Sequence, residues 1–266
     1  MAGTETGSRA RSVRARVPRP RMSVEEATAR ANDGLAALEH ATERLLEVVA
    51  GLDEGTIRGA SALDGWSRGH VIAHLARNAD ALLNLLTWAR TGVEHPMYAS
   101  RADRDADIEE GARRSGRLLR EDLIAACERF AAAAGAMPET GWRAEVVVGD
   151  GWPLTGHEIP WLRVREVWIH LADLRCGFDL ADLPEEVQEE LIDDAVAHYD
   201  GMDGVPPFAL RVDLPDGTQR EWIVNGTNDS STGAVRGDAI TVLAWLTGRG
   251  DASALSGDAP RLPDWI

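Results

Sequence analysis

The 266-residue chain has no lysine, little cysteine and no long apolar run. Its two cysteines, Cys127 and Cys176, lie in different segments and form no CxxC pair. That excludes a thiolate zinc site and a disulfide framework, and it points to the cytoplasm. No apolar stretch approaches the ~20 residues that a membrane span requires, so no membrane partner is expected. The first 21 residues are Arg-rich with no apolar segment after them, which excludes a secretory signal. They read as a disordered basic tail, or as an extension upstream of a start at Met22. All 28 basic residues are Arg, for which a GC-rich coding sequence is the simplest cause. Serine-nucleophile, P-loop and dinucleotide chemistry find no support, because the chain lacks a GxSxG elbow, a Walker loop and a Gly-rich fingerprint.

Positive charge is also scarce. The formal net charge is −16, and the tail carries six Arg against one Glu, which leaves residues 22–266 near −21. An acidic body repels phosphate backbones, so nucleic acid is not an expected partner. One or two Arg in a pocket can still reverse the local field for an anionic substrate. Hydrophobic content of 44% and charged content of 27% are those of a globular protein. The length admits one large domain or two smaller ones.

What the chain does contain is helical periodicity. Ser23 and Glu26 form a capping box ahead of a helix to about Ala50, with Leu35, Leu38, Leu45 and Val49 at helical spacing. A second helix is expected from about Ser67 to Ala89, carrying Val71, Leu75, Leu82 and Leu86 along one side. After a polar loop from His95 to Asp105, a third runs from about Ala106 to Ala134, stopped by Gly135 and Pro138. Gly141 to Thr155 is irregular, a fourth helix spans roughly Gly156 to Arg175, and an acidic fifth spans Pro184 to Asp200. Beyond Gly204, Phe208–Leu214 and Gln219–Val224 read as strands of a hairpin across Pro215-Asp216-Gly217, followed by a helix from Asp238 to Leu246. The expected organisation is a tail at 1–21, a mainly α helical bundle at 22–202 and a small α/β domain at 203–266.

Two residue pairs carry chemistry. Glu166 and His170 lie four apart in RVREVWIHLADL and project from one helix face. His70 and His74 do the same in GWSRGHVIAHLARNAD. Facing helices of a bundle build metal sites from such pairs, and imidazole with carboxylate suits zinc or another divalent ion. A carboxylate flanked by Val164, Val167 and Trp168 is costly to bury without a partner. Asp173, three residues after His170, is placed to orient a ligand from behind. Trp66 and Trp168 sit close enough in sequence to wall a pocket.

GWSRGHVIAHLARNAD, the later REVWIHLADL and the C-terminal LAWLTGR together resemble the mycothiol-dependent maleylpyruvate isomerase family of DinB-like metalloenzymes. The resemblance runs from Met22 to the C-terminus. It implies a DinB-like four-helix bundle with a small C-terminal α/β domain. By it, the metal ligands are His74, Glu166 and His170, with His70 a neighbour at the pocket mouth or a helix-start residue. The family's C-terminal arginine matches Arg249, with Arg236 as the competitor; by itself, Arg249 also suits a cation closing a helix C-terminus. Mycothiol is then the thiol cosubstrate and a small electrophile the substrate. The implied activity is cis–trans isomerisation of maleylpyruvate by zinc-assisted thiol addition, or else thiol S-transfer to another electrophile. From the residues alone, a non-catalytic metal-binding or regulatory helical module remains open, as does a hydrolase with Glu166 as general base. In the module a fourth protein ligand, His70, would close the site.

Overall fold

The computed structural model describes residues 22–149, 151–226 and 234–265, which form two compact units parting between Leu183 and Pro184. The expected tail at 1–21 lies outside the described residues. In the first unit, α1 (Val24–Ala50) begins at the Ser23–Glu26 capping box. A short helix, α2 (Glu54–Arg58), leads to α3 (Arg68–Thr91), which is closed by Gly92 in the left-handed region at φ 72°. α4 (Arg101–Ala112), α5 (Gly116–Gly135) and α6 (Ile159–Asp173) follow. Between α5 and α6 lies an antiparallel hairpin of β1 (Glu145–Val148) and β2 (Trp152–Thr155), within the stretch expected to be irregular.

Four long helices make the bundle. α3 packs on α5 and α6, and α1 packs on α6 and α5. Val71, Leu75, Leu82, Leu85 and Leu86 of α3 are buried to within 1%. Each such side chain contributes roughly 1.5–3 kcal/mol on leaving water. α6 is buried on nearly all sides, from Ile159 through Leu171, so it forms the wall on which the others close. Gly34 lets α1 approach it: a Cβ there would stand 2.9 Å from Nε1 of Trp161, which donates to the Arg30 carbonyl oxygen.

The expected third helix is two helices. The chain breaks between Arg113 and Ser115, where Ser115 caps α5 by accepting from the Leu118 N–H. Arg58 takes up carbonyls that a continuous helix would have used itself, donating to Ala112 O at 2.5 Å and Arg114 O at 2.7 Å. α4 also begins earlier than expected, with Ser100 as its N-cap.

The second unit comprises α7 (Glu185–Tyr199), β3 (Phe208–Asp213), β4 (Gln219–Val224), β5 (Ala234–Asp238) and α8 (Ala239–Leu246). The sheet order is β4-β3-β5, with β3 antiparallel to β4, Phe208 opposite Val224, and parallel to β5. Phe208, Leu210 and Val212 alternate inward along β3, as strand period two requires. The unit starts at Pro184 rather than near residue 203 because α7 belongs to it: α7 packs on α8 and β4. Tyr199 donates to the Leu246 carbonyl at 2.8 Å, and Trp222 Nε1 to Asp193 at 2.5 Å. Among the described residues no helix is long and apolar enough to cross a membrane.

Candidate metal centre

The helix pairing that builds the bundle brings three separated side chains together. α3 supplies His74, and α6 supplies Glu166 and His170 one turn apart. All three are at least 92% buried, at 3%, 7% and 8% exposure. One ligand atom from each lies within 4.8 Å of the others. Glu166 Oε2 is 3.1 Å from His74 Nε2 and 3.8 Å from His170 Nε2. Tetrahedral zinc with bonds of ~2.1 Å needs ligand–ligand separations of about 3.4 Å. The donor set and its spacing therefore fit a divalent ion.

Electrostatics favour the protonation states that ligation needs. Burial above all pushes the pKa of His74 down, to about 4, against the opposing hydrogen bond to Glu166. Its imidazole is therefore neutral at physiological pH. Burial presses the pKa of Glu166 upward, but the hydrogen bond to His74 and the charge of Arg165 outweigh it. The carboxyl is held well below the usual carboxylate range. His170 is set from behind: its Nδ1–H donates to Asp173 Oδ2 at 2.8 Å, leaving Nε2 turned toward Glu166. Asp173 is itself 1% exposed.

His70 does not join the cluster. It closes the first turn of α3, its Nδ1 3.1 Å from the Ser67 N–H, and its Nε2 faces Glu109 Oε1 at 3.3 Å. Trp66 lies against His74, ring centroids 5.7 Å apart, and stacks on His70. Trp168 faces away, packed between His40 and Phe178 in the core. Arg249 belongs to the second unit, where it donates to the Thr247 carbonyl oxygen at 2.6 Å, just past α8. Arg236 is exposed on β5 and exchanges backbone hydrogen bonds with Ser256.

Several polar neighbours escape a reading by residue type. Asn78 and Arg163 are buried beside Glu166, and Arg165 holds its Oε1 at 3.0 Å. Arg104 NH2 stands 3.4 Å from His74 Nδ1. With Arg77, Asn84, Tyr98 and the carboxylates of Asp80, Asp103 and Asp107, Arg104 lines a cavity of about 270 Å³. Burial pushes the Tyr98 phenol up to about 12, so it is a hydrogen-bond donor at neutral pH. Helical spacing puts Asn78 on the face of His74, four residues on, and Arg163 on the face of Glu166, three residues before, but carries no sign of their burial.

The family model for the mycothiol maleylpyruvate isomerase N-terminal domain matches residues 38–175, just over half of the chain. Two crystal structures share the fold, those of the mycothiol-dependent maleylpyruvate isomerase (29% identical) and of a histidine-to-alanine mutant of it (28%). Each superposes with a TM-score of 0.75 over 92% of this chain and 98% of the other. No curated protein matches the chain. Bundle, α/β unit and matched segment agree, and the chain belongs to the mycothiol maleylpyruvate isomerase N-terminal domain family.

Proposed function

We propose that the protein catalyses mycothiol-dependent cis–trans isomerisation of maleylpyruvate, or of a closely similar conjugated cis-enedicarbonyl acid, at a divalent metal centre made by His74, Glu166 and His170. The observation that carries the reading is the buried cluster of two imidazoles and one carboxylate with His70 engaged elsewhere. Three protein ligands leave a position for an exogenous group, whereas a structural site would be closed by a fourth. Bound there, zinc would hold a small-molecule thiol as its thiolate, the nucleophilic form.

The chain's own residues then have definite tasks. Neutral His74 offers a nitrogen lone pair, Asp173 holds the Nδ1–H of His170 so that Nε2 is the atom left to ligate, and Glu166 supplies one negative charge. Two neutral ligands and one carboxylate leave a divalent ion with net positive charge, which favours a thiolate. The sulfur adds to the cis double bond, the resulting single bond rotates, and the carbon–sulfur bond breaks to give the trans isomer and the thiol unchanged. Arg104, beside His74 and ion-paired on its other side with exposed Asp105, can exchange that partner for a substrate carboxylate. Arg249 enters on the resemblance, as the cation for a substrate carboxylate or the developing enolate. A free-thiol cosubstrate, and the free Cys127 and Cys176, suit the reducing cytoplasm.

The test has two stages. Purified protein is assayed for metal per chain beside His74→Ala and His170→Ala, with about one zinc expected in the wild type and loss in both variants. Zinc-loaded protein is then mixed with mycothiol and maleylpyruvate and the products are resolved by chromatography. Fumarylpyruvate with thiol recovered supports the isomerase, whereas a stable thiol adduct supports S-transfer. Neither product, from protein shown to hold zinc, sinks both. Arg249→Met turning over at the wild-type rate removes Arg249 from the scheme.

A further inference from the structure

Arg163 is a permanent cation that is 1% exposed, in the interior of the bundle. Its NH1 donates to Asn78 Oδ1 at 2.8 Å, and its NH2 lies 3.7 Å from Cys127 Sγ. Asn78, 4% exposed, in turn donates through Nδ2 to Glu166 Oε2 at 3.0 Å. Such a charge is tolerated in an apolar interior only with a counter-charge and satisfied donors. Asn78 joins it to the Glu166 carboxylate, whose direct ion-pair partner is Arg165.

The link has one allowed polarity. A guanidinium has donors alone and an ionised carboxylate has acceptors alone. An amide between them must turn its oxygen to the arginine and its nitrogen to the glutamate. Arg163 therefore fixes the orientation of Asn78, and Asn78 fixes Glu166 Oε2, the same oxygen that lies 3.1 Å from His74 Nε2. The other oxygen is held by Arg165 NH2 at 3.0 Å. Residues 74 and 78 share one face of α3, and 163, 166 and 170 one face of α6, so the relay and the cluster are built by the same packing contact.

We propose that Asn78 and Arg163 are positioning residues that preset the Glu166 carboxylate for metal ligation. The proposal rests on the reading of His74, Glu166 and His170 as a metal site. Outer partners of metal ligands characteristically contribute 10- to 100-fold in affinity. Asn78→Ala, which removes the amide and leaves space in which water can solvate Arg163, is expected to weaken zinc binding by roughly that factor. Arg163→Lys keeps a donor for the Asn78 oxygen in either protonation state and is expected to stay within about threefold of wild type.

The experiment measures zinc affinity by chelator competition and the visible absorption of the cobalt(II)-loaded protein at saturation. Weakened zinc binding together with an altered cobalt spectrum in Asn78→Ala, and near-wild-type values in Arg163→Lys, is the expected result. Wild-type affinity in Asn78→Ala overturns the proposal, as does weaker affinity with an unchanged cobalt spectrum, which general destabilisation would produce. Asn78→Asp covers failure of the alanine variant to fold. It is isosteric and keeps the Arg163 contact, but it turns an acceptor toward Glu166 Oε2, so an unchanged cobalt spectrum there overturns the proposal equally. A wild-type protein that takes up no zinc overturns the metal-site reading itself, and the proposal with it.

Discussion

Acid should unfold the first unit earlier than its surface charges dictate, and His74 is the reason. Its ordinary pKa is 6.5, and burial in the bundle takes it to about 4. The unfolded chain therefore accepts a proton that the folded chain refuses. Stability from this source is fully present above pH 6.5 and is lost progressively as pH falls toward 4. The gap between the two values corresponds to about 3 kcal/mol over the whole window. Between pH 7 and pH 5 the loss is about 2 kcal/mol. For a unit of this size that lowers the melting temperature by roughly 4–8 °C. The comparison protein is His74→Gln, which keeps an N–H donor for Glu166 Oε2 but does not titrate. Urea denaturation of both, in chelator at pH 7, 6 and 5, isolates the contribution. Glu166 adds a term of the same sign below its ordinary pKa of 4.5, outside the interval compared. The wild type should lose about 2 kcal/mol more than the variant between pH 7 and pH 5. Parallel curves over that interval would refute the assignment of a buried, neutral His74.

Other perturbations separate ligand orientation from packing. Asp173→Asn keeps an acceptor for His170 Nδ1 but removes its charge, and zinc affinity by chelator competition should fall about 10-fold or more. Leu85→Ala empties a fully buried position on α3 and should cost about 2–5 kcal/mol in urea denaturation while zinc per folded chain stays unchanged. Ser67→Ala removes the acceptor for the His70 N–H at the start of α3 and should lower stability by about 1 kcal/mol.

Much of the fold follows from punctuation and periodicity in the sequence. The Ser23–Glu26 capping box, Ser67 and Gly92 bound α1 and α3 as local chemistry requires. Elements whose reason is distant were not legible. The break between α4 and α5 rests on Arg58, more than fifty residues upstream, donating to the carbonyl oxygens of Ala112 and Arg114. β5 follows residues 227–233 and is recruited by parallel pairing with β3, Leu210 beside Val235, which no local alternation announces. The same holds for α7: its pattern shows a helix, but only its packing on α8 and β4 assigns it to the second unit.

The cluster divides in the same way. Glu166 and His170 are visible as a pair because helical spacing puts i and i+4 on one face before any tertiary contact is known. Choosing between His70 and His74 requires the start of the helix. Ser67 recruits His70 into the first turn of α3, and one turn further on His74 faces α6. The relay behind Glu166 is illegible for a different reason. Arg and Asn are ordinary helix-surface residues, and nothing local says that Arg163 is buried. Its burial follows only once α6 is enclosed by α1 and α3, and then it becomes intelligible as part of a connected network: Arg165 pairs directly with Glu166, and Asn78 joins the second cation, Arg163, to the same carboxylate. The same reasoning couples Arg163 to Glu166 through Asn78, so removing the cation is felt less where the carboxylate is neutralised too. An Arg163→Met, Glu166→Gln pair should therefore be more stable than Arg163→Met alone, and a double-mutant cycle in urea showing strict additivity would break the argument.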